Sequence, residues 1–306
     1  MKEVDNFAIQ CYRSCPRFFY WRIERGYTRV REVSISAQFG AAIHSALDAY
    51  YSSGMTQEAI DKALTRFAEE FGAFEEWEDS KRTVGKGLDI LSRYFERYHG
   101  KEPFTVIATE IGGAFEVGDY IYRTRLDLVV EWESPRGIYV IDHKTTSSLN
   151  RMTAKPHNQL TGYIANLVEM YENVLGAILN CVGVYESEEV VDKTTKVISE
   201  KTGKPVYART KREIFMRIPT TRTTQEIEEW KRETLHTLHQ IERSREEGVW
   251  PRYAPEYCGA YRKKCQYLDL CNSTLNIAEK VLVESGLYER NEWKPYETEG
   301  KNGEGE

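Results

Sequence analysis

The ten residues Gly137-Ile-Tyr-Val-Ile-Asp-His-Lys-Thr-Thr146 constrain this chain more than any others. They read as a short strand, apolar and aromatic through Ile141, that runs into charge. Strand side chains alternate between faces, so Ile138, Val140, Asp142 and Lys144 share one side, and Tyr139, Ile141 and His143 the other. An acid and a lysine two residues apart therefore point the same way from the end of a strand destined for the interior. Charges in such a place are costly to desolvate unless they are paired or bound to metal. The plain alternative is an ion pair at a strand end.

The neighbouring sequence adds further acids. Phe104 to Val117 and Tyr120 to Trp132 read as strands around the turn Gly118-Asp119. The second of them meets the Asp142 strand through Glu133-Ser-Pro-Arg-Gly137, another turn. In Arg125-Leu-Asp-Leu-Val-Val130 the alternation puts Leu126, Leu128 and Val130 on one face and Asp127 with Val129 on the other. Asp127 is then a second acid beside the first, with Glu110 on the preceding strand as a possible third. Upstream, Ser36-Ala-Gln-Phe-Gly-Ala-Ala-Ile-His44 opens a helix for which Ser36 is a plausible N-cap. Gly40 and His44 share a face of it. A glycine inside a helix costs about 1 kcal/mol against alanine, which points to close backbone packing beside His44. Read alone, His44 is more simply a partly buried structural residue than a ligand.

Elsewhere the pattern is mostly structural. Cys11 to Arg22 suggests an aromatic-rich docking helix with Pro16 in its first turn. Thr56 to Tyr98 carries two more helical patterns, broken around Gly72–Ser80. Pro156 starts a helix with Gln159 and Tyr163 one turn apart, facing the end of the Asp142 strand. Gly176–Tyr185 is a strand, and Val190–Ser199 and Pro205–Arg217 enclose the basic tip Lys201-Thr-Gly-Lys204. A charged helix spans Thr224 to Glu247, its Glu and Arg residues reading as a solvated face, and a short helix covers Leu275–Ser285. The last residues, 296–306, are acidic and glycine-rich and are expected to be disordered.

Composition excludes several classes. A net charge of −6 over 306 residues does not suit a protein basic throughout, so any nucleic-acid surface must be local. Arg13, Arg17, Arg22 and Arg25, and Arg262, Lys263 and Lys264, are two such clusters. No stretch is long enough to span a membrane, and no signal pattern is evident. Six cysteines are too few for a disulfide scaffold. Cys258, Cys265 and Cys271 crowd together as metal ligands do, and the expected location is a reducing cytoplasm.

Taken in order, Gly40-x-x-x-His44, Asp127, Asp142-x-Lys144 and Gln159-x-x-x-Tyr163 resemble the PD-(D/E)XK nucleases of the RecB type. Cys15-Pro-Arg-Phe-Phe-Tyr and Cys258-x6-Cys265-x5-Cys271 are similar to the iron–sulfur subset of that family, which includes AddB nuclease domains, exonuclease V proteins and CRISPR-adaptation nucleases. The likeness runs from about residue 11 to 271. One departure is that Arg125-Leu126 stands where the family has a glycine before its first aspartate.

The resemblance implies an α+β, restriction-endonuclease-like mixed sheet flanked by helices, with a helical and iron–sulfur cap. It implies one nuclease domain over 1–295, with 56–100 as a helical insertion and 11–25 plus 255–272 as the cluster-binding cap. Asp127 and Asp142 would hold Mg²⁺ or Mn²⁺, together with His44 and the backbone carbonyl of His143. The His143 side chain is a spacer that faces away. Lys144 would orient or deprotonate the attacking water and counter developing charge. Gln159 and Tyr163 would contact the DNA backbone or position the lysine. Cys15, Cys258, Cys265 and Cys271 would bind a [4Fe–4S] cluster stapling the chain's two ends, with zinc as the competing metal, Cys11 as a competing ligand and Cys181 as core. The implied activity is that of a DNA exonuclease on single-stranded ends, in recombination, repair, phage DNA processing or CRISPR adaptation. Its protein partners would be recombination, helicase or CRISPR-adaptation proteins. The alternative is a catalytically idle, nuclease-like DNA-binding scaffold.

Overall fold

The computed structural model describes residues 2–30, 34–199, 204–252, 258 and 264–294. Arg262, Lys263 and the tail 296–306 lie outside them, as does most of the stretch between Pro251 and Lys264.

The chain opens with a short strand β1 (Lys2–Asp5) and helix α1 (Asn6–Ser14), capped by the Asp5 carboxylate on the Ala8 N–H. Pro16 lies in the first turn of a helix as expected, while Cys11 belongs to the preceding α1. Cys15 is extended, Pro16 starts the short α2 (Pro16–Phe19), and a π-helical turn follows over Tyr20–Glu24. Pro16 has no N–H to continue the α1 ladder, which is why the helix restarts there. After β2 (Tyr27–Arg29), helix α3 runs over Ile35–Ser52 with Ser34, not Ser36, at its N-cap position. The two helices expected over 56–98 are α4 (Gln57–Gly72) and α5 (Val84–Tyr98). Strands β3 (Phe104–Val117), β4 (Tyr120–Glu133) and β5 (Arg136–Thr146) form the expected meander. Helix α6 (Asn158–Met170) begins two residues beyond Pro156, with the His157 ring accepting the Leu160 N–H.

Strand β6 (Val174–Gly183) follows, and then a separate hairpin, β7 (Glu189–Ile198) and β8 (Pro205–Lys211). The segment Pro205–Arg217, read from sequence as one strand, is two. Its second half belongs to β9 (Phe215–Thr220), which returns to the central sheet and pairs with β6. Helix α7 (Thr224–Glu247) has the boundaries the sequence suggests and opens with a capping box, Thr223 and Glu226. Its face is not wholly solvated: Ile227, Trp230, Leu238 and Ile241 are buried. The segment ends with a helical turn at Leu268–Cys271, a helix over Leu275–Ser285 and a strand, β10 (Tyr288–Arg290), that pairs antiparallel with β2.

The central sheet is mixed and six-stranded, in the order β1-β4-β5-β6-β9 with β3 on the other edge of β4. Helices cover both faces, as expected for α+β packing. One core lies under α1, α6 and α7, with Val140, Leu160 and Trp230 among its members. The other lies under α3, α4 and α5, with Phe39, Phe67 and Ile141. A third, small core joins Trp21 to Tyr267, Leu270, Ala278, Leu282 and Tyr288. Leu126 does not share a face with Leu128 and Val130 as simple alternation requires. It packs in the first core, they in the second. The exchange coincides with Glu110 opposite, whose φ of 49° interrupts the regular pleat of β3.

Candidate active site

The pairing of β4 with β5 stops at Leu128 opposite Ile141. Beyond that rung the two strands are not paired. The next residue on each is an acid, Asp127 and Asp142, so the two carboxylates stand at the fork. The Asp127 Oδ2 accepts the backbone N–H of His143 at 2.8 Å, linking the two strands past their last rung. Lys144, on the same face as Asp142, donates from Nζ to Asp142 Oδ1 at 2.8 Å. Asp142 is 0% exposed, and its Oδ2 is buried with no hydrogen-bond partner among the described residues. An orphaned buried carboxylate oxygen asks for a ligand.

Helix α3 brings His44 to the fork. Gly40, one turn earlier, lies so close to β5 that a Cβ there would stand 3.0 Å from Thr145 Oγ1. The absence of a side chain lets the helix approach the strand. His44 Nδ1 is 3.4 Å from Asp127 Oδ2, and the ring also donates to the His143 carbonyl. From β3, Glu110 completes the group. Its carboxylate is bonded to Arg125, and one ligand atom each from His44, Glu110 and Asp127 lie within 4.8 Å of one another. These residues, with Asp48 and Tyr163, line a cavity of about 800 Å³.

Burial is the first influence on every titratable group of the site. Burial, and then Asp127, pushes Glu110 up to about 7. Burial raises Asp127 and Asp142 as well, against the lowering effect of Lys144 on both. His44 is lowered to about 4, by burial first and by Lys144 second, and is therefore neutral and able to ligate. Lys144 goes the other way: burial disfavours its charge, but Asp142 and Asp127 outweigh this and hold the ammonium. Two carboxylates, Glu110 and Asp127, and a neutral imidazole converge on the cavity. The Asp142 Oδ2, unpartnered among the described residues, is buried beside Asp127 on the neighbouring strand. Oxygen-rich donors of this kind suit a hard divalent cation, so the residues fit the metal that the sequence implies.

Gln159 and Tyr163 sit on the first turns of α6. Gln159 Nε2 donates to the Tyr163 hydroxyl at 2.7 Å, and the raised pKa of that hydroxyl reflects burial and then Asp142 and Asp127. The His143 ring packs edge-on against the His44 ring at 5.9 Å between centroids and enters a buried polar network invisible in the sequence. Asn180 on β6 donates from Nδ2 to His143 Nδ1 at 2.7 Å, and Tyr51 stacks on the ring at 5.9 Å. Arg217 on β9 reaches Asn180 Oδ1 at 3.3 Å and both carboxylate oxygens of Glu102 at 2.6 and 2.7 Å. The one legible signal is the asparagine inside the otherwise apolar run Ala177–Val182.

At the other end of the molecule, Cys15 is buried at the break between α1 and α2, and the Cys265 N–H donates to the Cys258 carbonyl at 2.8 Å. The Cys271 thiol is pushed up to about 11, by burial first and then by Cys265, Cys15 and Cys258. The four cysteines are thus electrostatic neighbours, although no three of them bring their sulfurs within 4.8 Å of one another among the described residues. Cys11 and Cys181 belong to the first core.

Comparison with known proteins bears on this arrangement. A crystal structure from Eubacterium rectale, provisionally described as an exonuclease, is similar over 87% of this chain and 92% of that one, at 13% sequence identity and a TM-score of 0.44. No curated protein matches the sequence. The family model of the PD-(D/E)XK nuclease superfamily matches residues 7–272, which takes in both the fork of acids and the lysine beside it. Over that length the chain belongs to the PD-(D/E)XK nuclease superfamily.

Proposed function

We propose that this nuclease is a divalent-metal-dependent deoxyribonuclease that degrades single-stranded DNA from its ends. The observation that carries the reading is the fork: Asp142, buried and bound to Lys144, and on the diverging strand the half-buried Asp127, which His44 and Glu110 join in one group of candidate ligands. Asp127, Asp142, His44 and Glu110 would hold Mg²⁺ or Mn²⁺, with the His143 carbonyl alongside. A bound divalent ion would withdraw charge from the scissile phosphate and acidify a water at neutral pH. Lys144, anchored on Asp142, offers its remaining N–H donors to the attacking water and to charge developing on the phosphate. Its cationic state favours orientation and charge relief over proton abstraction. Tyr163, steadied by Gln159, stands where a phosphate entering the cavity would meet a hydroxyl donor.

The proposal extends to a [4Fe–4S] cluster on Cys15, Cys258, Cys265 and Cys271. Its support is the mutual influence of those thiols, with Cys265 and Cys271 both acted on by Cys15 and Cys258. Roles in repair, recombination, phage DNA processing or CRISPR adaptation, with their protein partners, rest on the motif likeness alone.

The test is digestion of end-labelled linear and circular single strands with Mg²⁺ or Mn²⁺ by anaerobically purified protein. Linear strands are expected to shorten from one end while circles persist. Lys144→Ala and Asp142→Asn should lose at least about two orders of magnitude in kcat with folding intact. Normal cutting by both variants would refute the site, and cleavage of circles would refute the requirement for an end.

A further inference from the structure

The hairpin of β7 and β8 has no part in the site described above, yet it springs from beside it. Val184 donates its N–H to the Thr146 carbonyl at 2.8 Å, and Gly183 donates to Ile214 at 2.7 Å. Both legs therefore leave the sheet at the end of β6 that lies against the last turn-out of β5, two residues past Lys144. The base is fastened to α5: Arg93 reaches both Glu188 carboxylate oxygens at 2.6 and 2.9 Å, and Arg212 lies over the Tyr185 ring at 4.8 Å.

Above that base the two strands pair only with each other, and none of their side chains joins a hydrophobic core among the described residues. Such a ribbon is marginal by itself in water. Its apolar residues are nonetheless on display. Val191, Val197, Ile198, Val206 and Tyr207 are 52%, 46%, 64%, 42% and 48% exposed. The pairing sets Val197 against Val206 on one face. Tyr207 stands opposite Lys196, whose ammonium lies 5.6 Å from the ring, and Ile198 stands opposite Pro205. Residues 189–212 hold seven Lys and Arg against three Asp and Glu, in a chain whose net charge is −6.

We propose that this ribbon is a nucleic-acid grip, holding the part of the substrate strand that lies outside the cleft. An apolar end flanked by cations matches what an unpaired strand offers: flat apolar base faces along a line of phosphates. A partner recognised through apolar contact alone would not call for the excess of lysine and arginine. The inference rests on the nuclease reading for the nature of its ligand, but it concerns binding, and binding can be measured without cleavage.

The experiment compares the full-length chain with Lys196→Ala/Ile198→Ser/Tyr207→Ala, by fluorescence anisotropy of labelled long and short single strands in EDTA, across a salt series. The long strand should bind the variant about tenfold or more weakly, with a smaller change for the short one. Its salt slope should fall by about one. A charge-reversed ribbon, Lys196→Glu/Lys211→Glu, provides the same comparison if the triple variant unfolds. Equal affinity for the long strand in a folded variant overturns the grip. So does a wild-type dimer that the substitutions dissociate without loss of DNA affinity, since the ribbon would then join two copies of the chain. Ribbon-dependent binding by a protein that never cuts would sink the nuclease reading and leave the grip standing.

Discussion

Arg217 and Glu102 form the most buried ion pair near the site, with side chains 16% and 3% exposed. Such a pair gains little over a well-packed apolar substitute, but breaking it strands a charge. Arg217→Met should therefore destabilise the fold by about 3–5 kcal/mol, whereas Arg217→Met with Glu102→Gln should recover part of that loss; urea denaturation of both variants measures the difference. His143 is coupled to this pair through Asn180, so the main chain between Asp142 and Lys144 is held from behind as well as in front. At this scale the sequence was legible where chemistry sits in local pattern. Asp142-x-Lys144 reads directly and Asp127 stands out as an acid in a neighbouring strand, but the alternation that placed it breaks between Leu126 and Leu128, and Glu110 came only as a candidate third acid. The network behind them was hidden, because Glu102, Asn180 and Arg217 meet only through tertiary packing and each alone is an ordinary polar residue.

Among the elements, α4 and α5 touch with no room to spare. A Cβ on Gly87 would fall 1.9 Å from the Phe67 ring, at a point where the ring is fully buried. Gly87→Ala is expected to cost about 1–3 kcal/mol through overpacking, read as a lowered melting temperature. The start of α7 offers a pH-dependent case. Glu226 is held down to about 2, by the Lys155 ammonium first and the Thr223 N–H next. Its folded value lies below the unfolded one, so its contribution is present above the unfolded value and is lost as pH falls toward 2. Glu226→Gln should flatten that acid-side loss in a denaturation series, and Thr223→Ala should cost about 1 kcal/mol at neutral pH. The helices and the β3–β4 turn were legible from periodicity and capping. The split of Pro205–Arg217 into β8 and β9 was not, because a continuous extended pattern does not say which sheet each half will join.

For the whole molecule, the proposed cluster makes the strongest prediction. Anaerobically purified protein should be brown with visible absorbance, and Cys265→Ala should be colourless and less stable; a colourless wild type containing zinc would contradict the iron–sulfur assignment. The mixed sheet was foreseeable from the family resemblance, whereas the residues themselves announced only the β3–β4–β5 meander. The fork was not, because where two paired strands part depends on twist and on Glu110, which no residue pattern announces.

The small core around Trp21 has an implication for synthesis. In chain order Trp21 long precedes Tyr267, Leu270, Ala278, Leu282 and Tyr288, so during synthesis its indole has only near neighbours such as Phe18, Tyr20 and Tyr27 until those five follow. Throughout that interval part of an apolar surface around the indole stays uncovered, and chaperone capture is the natural guard against its premature association.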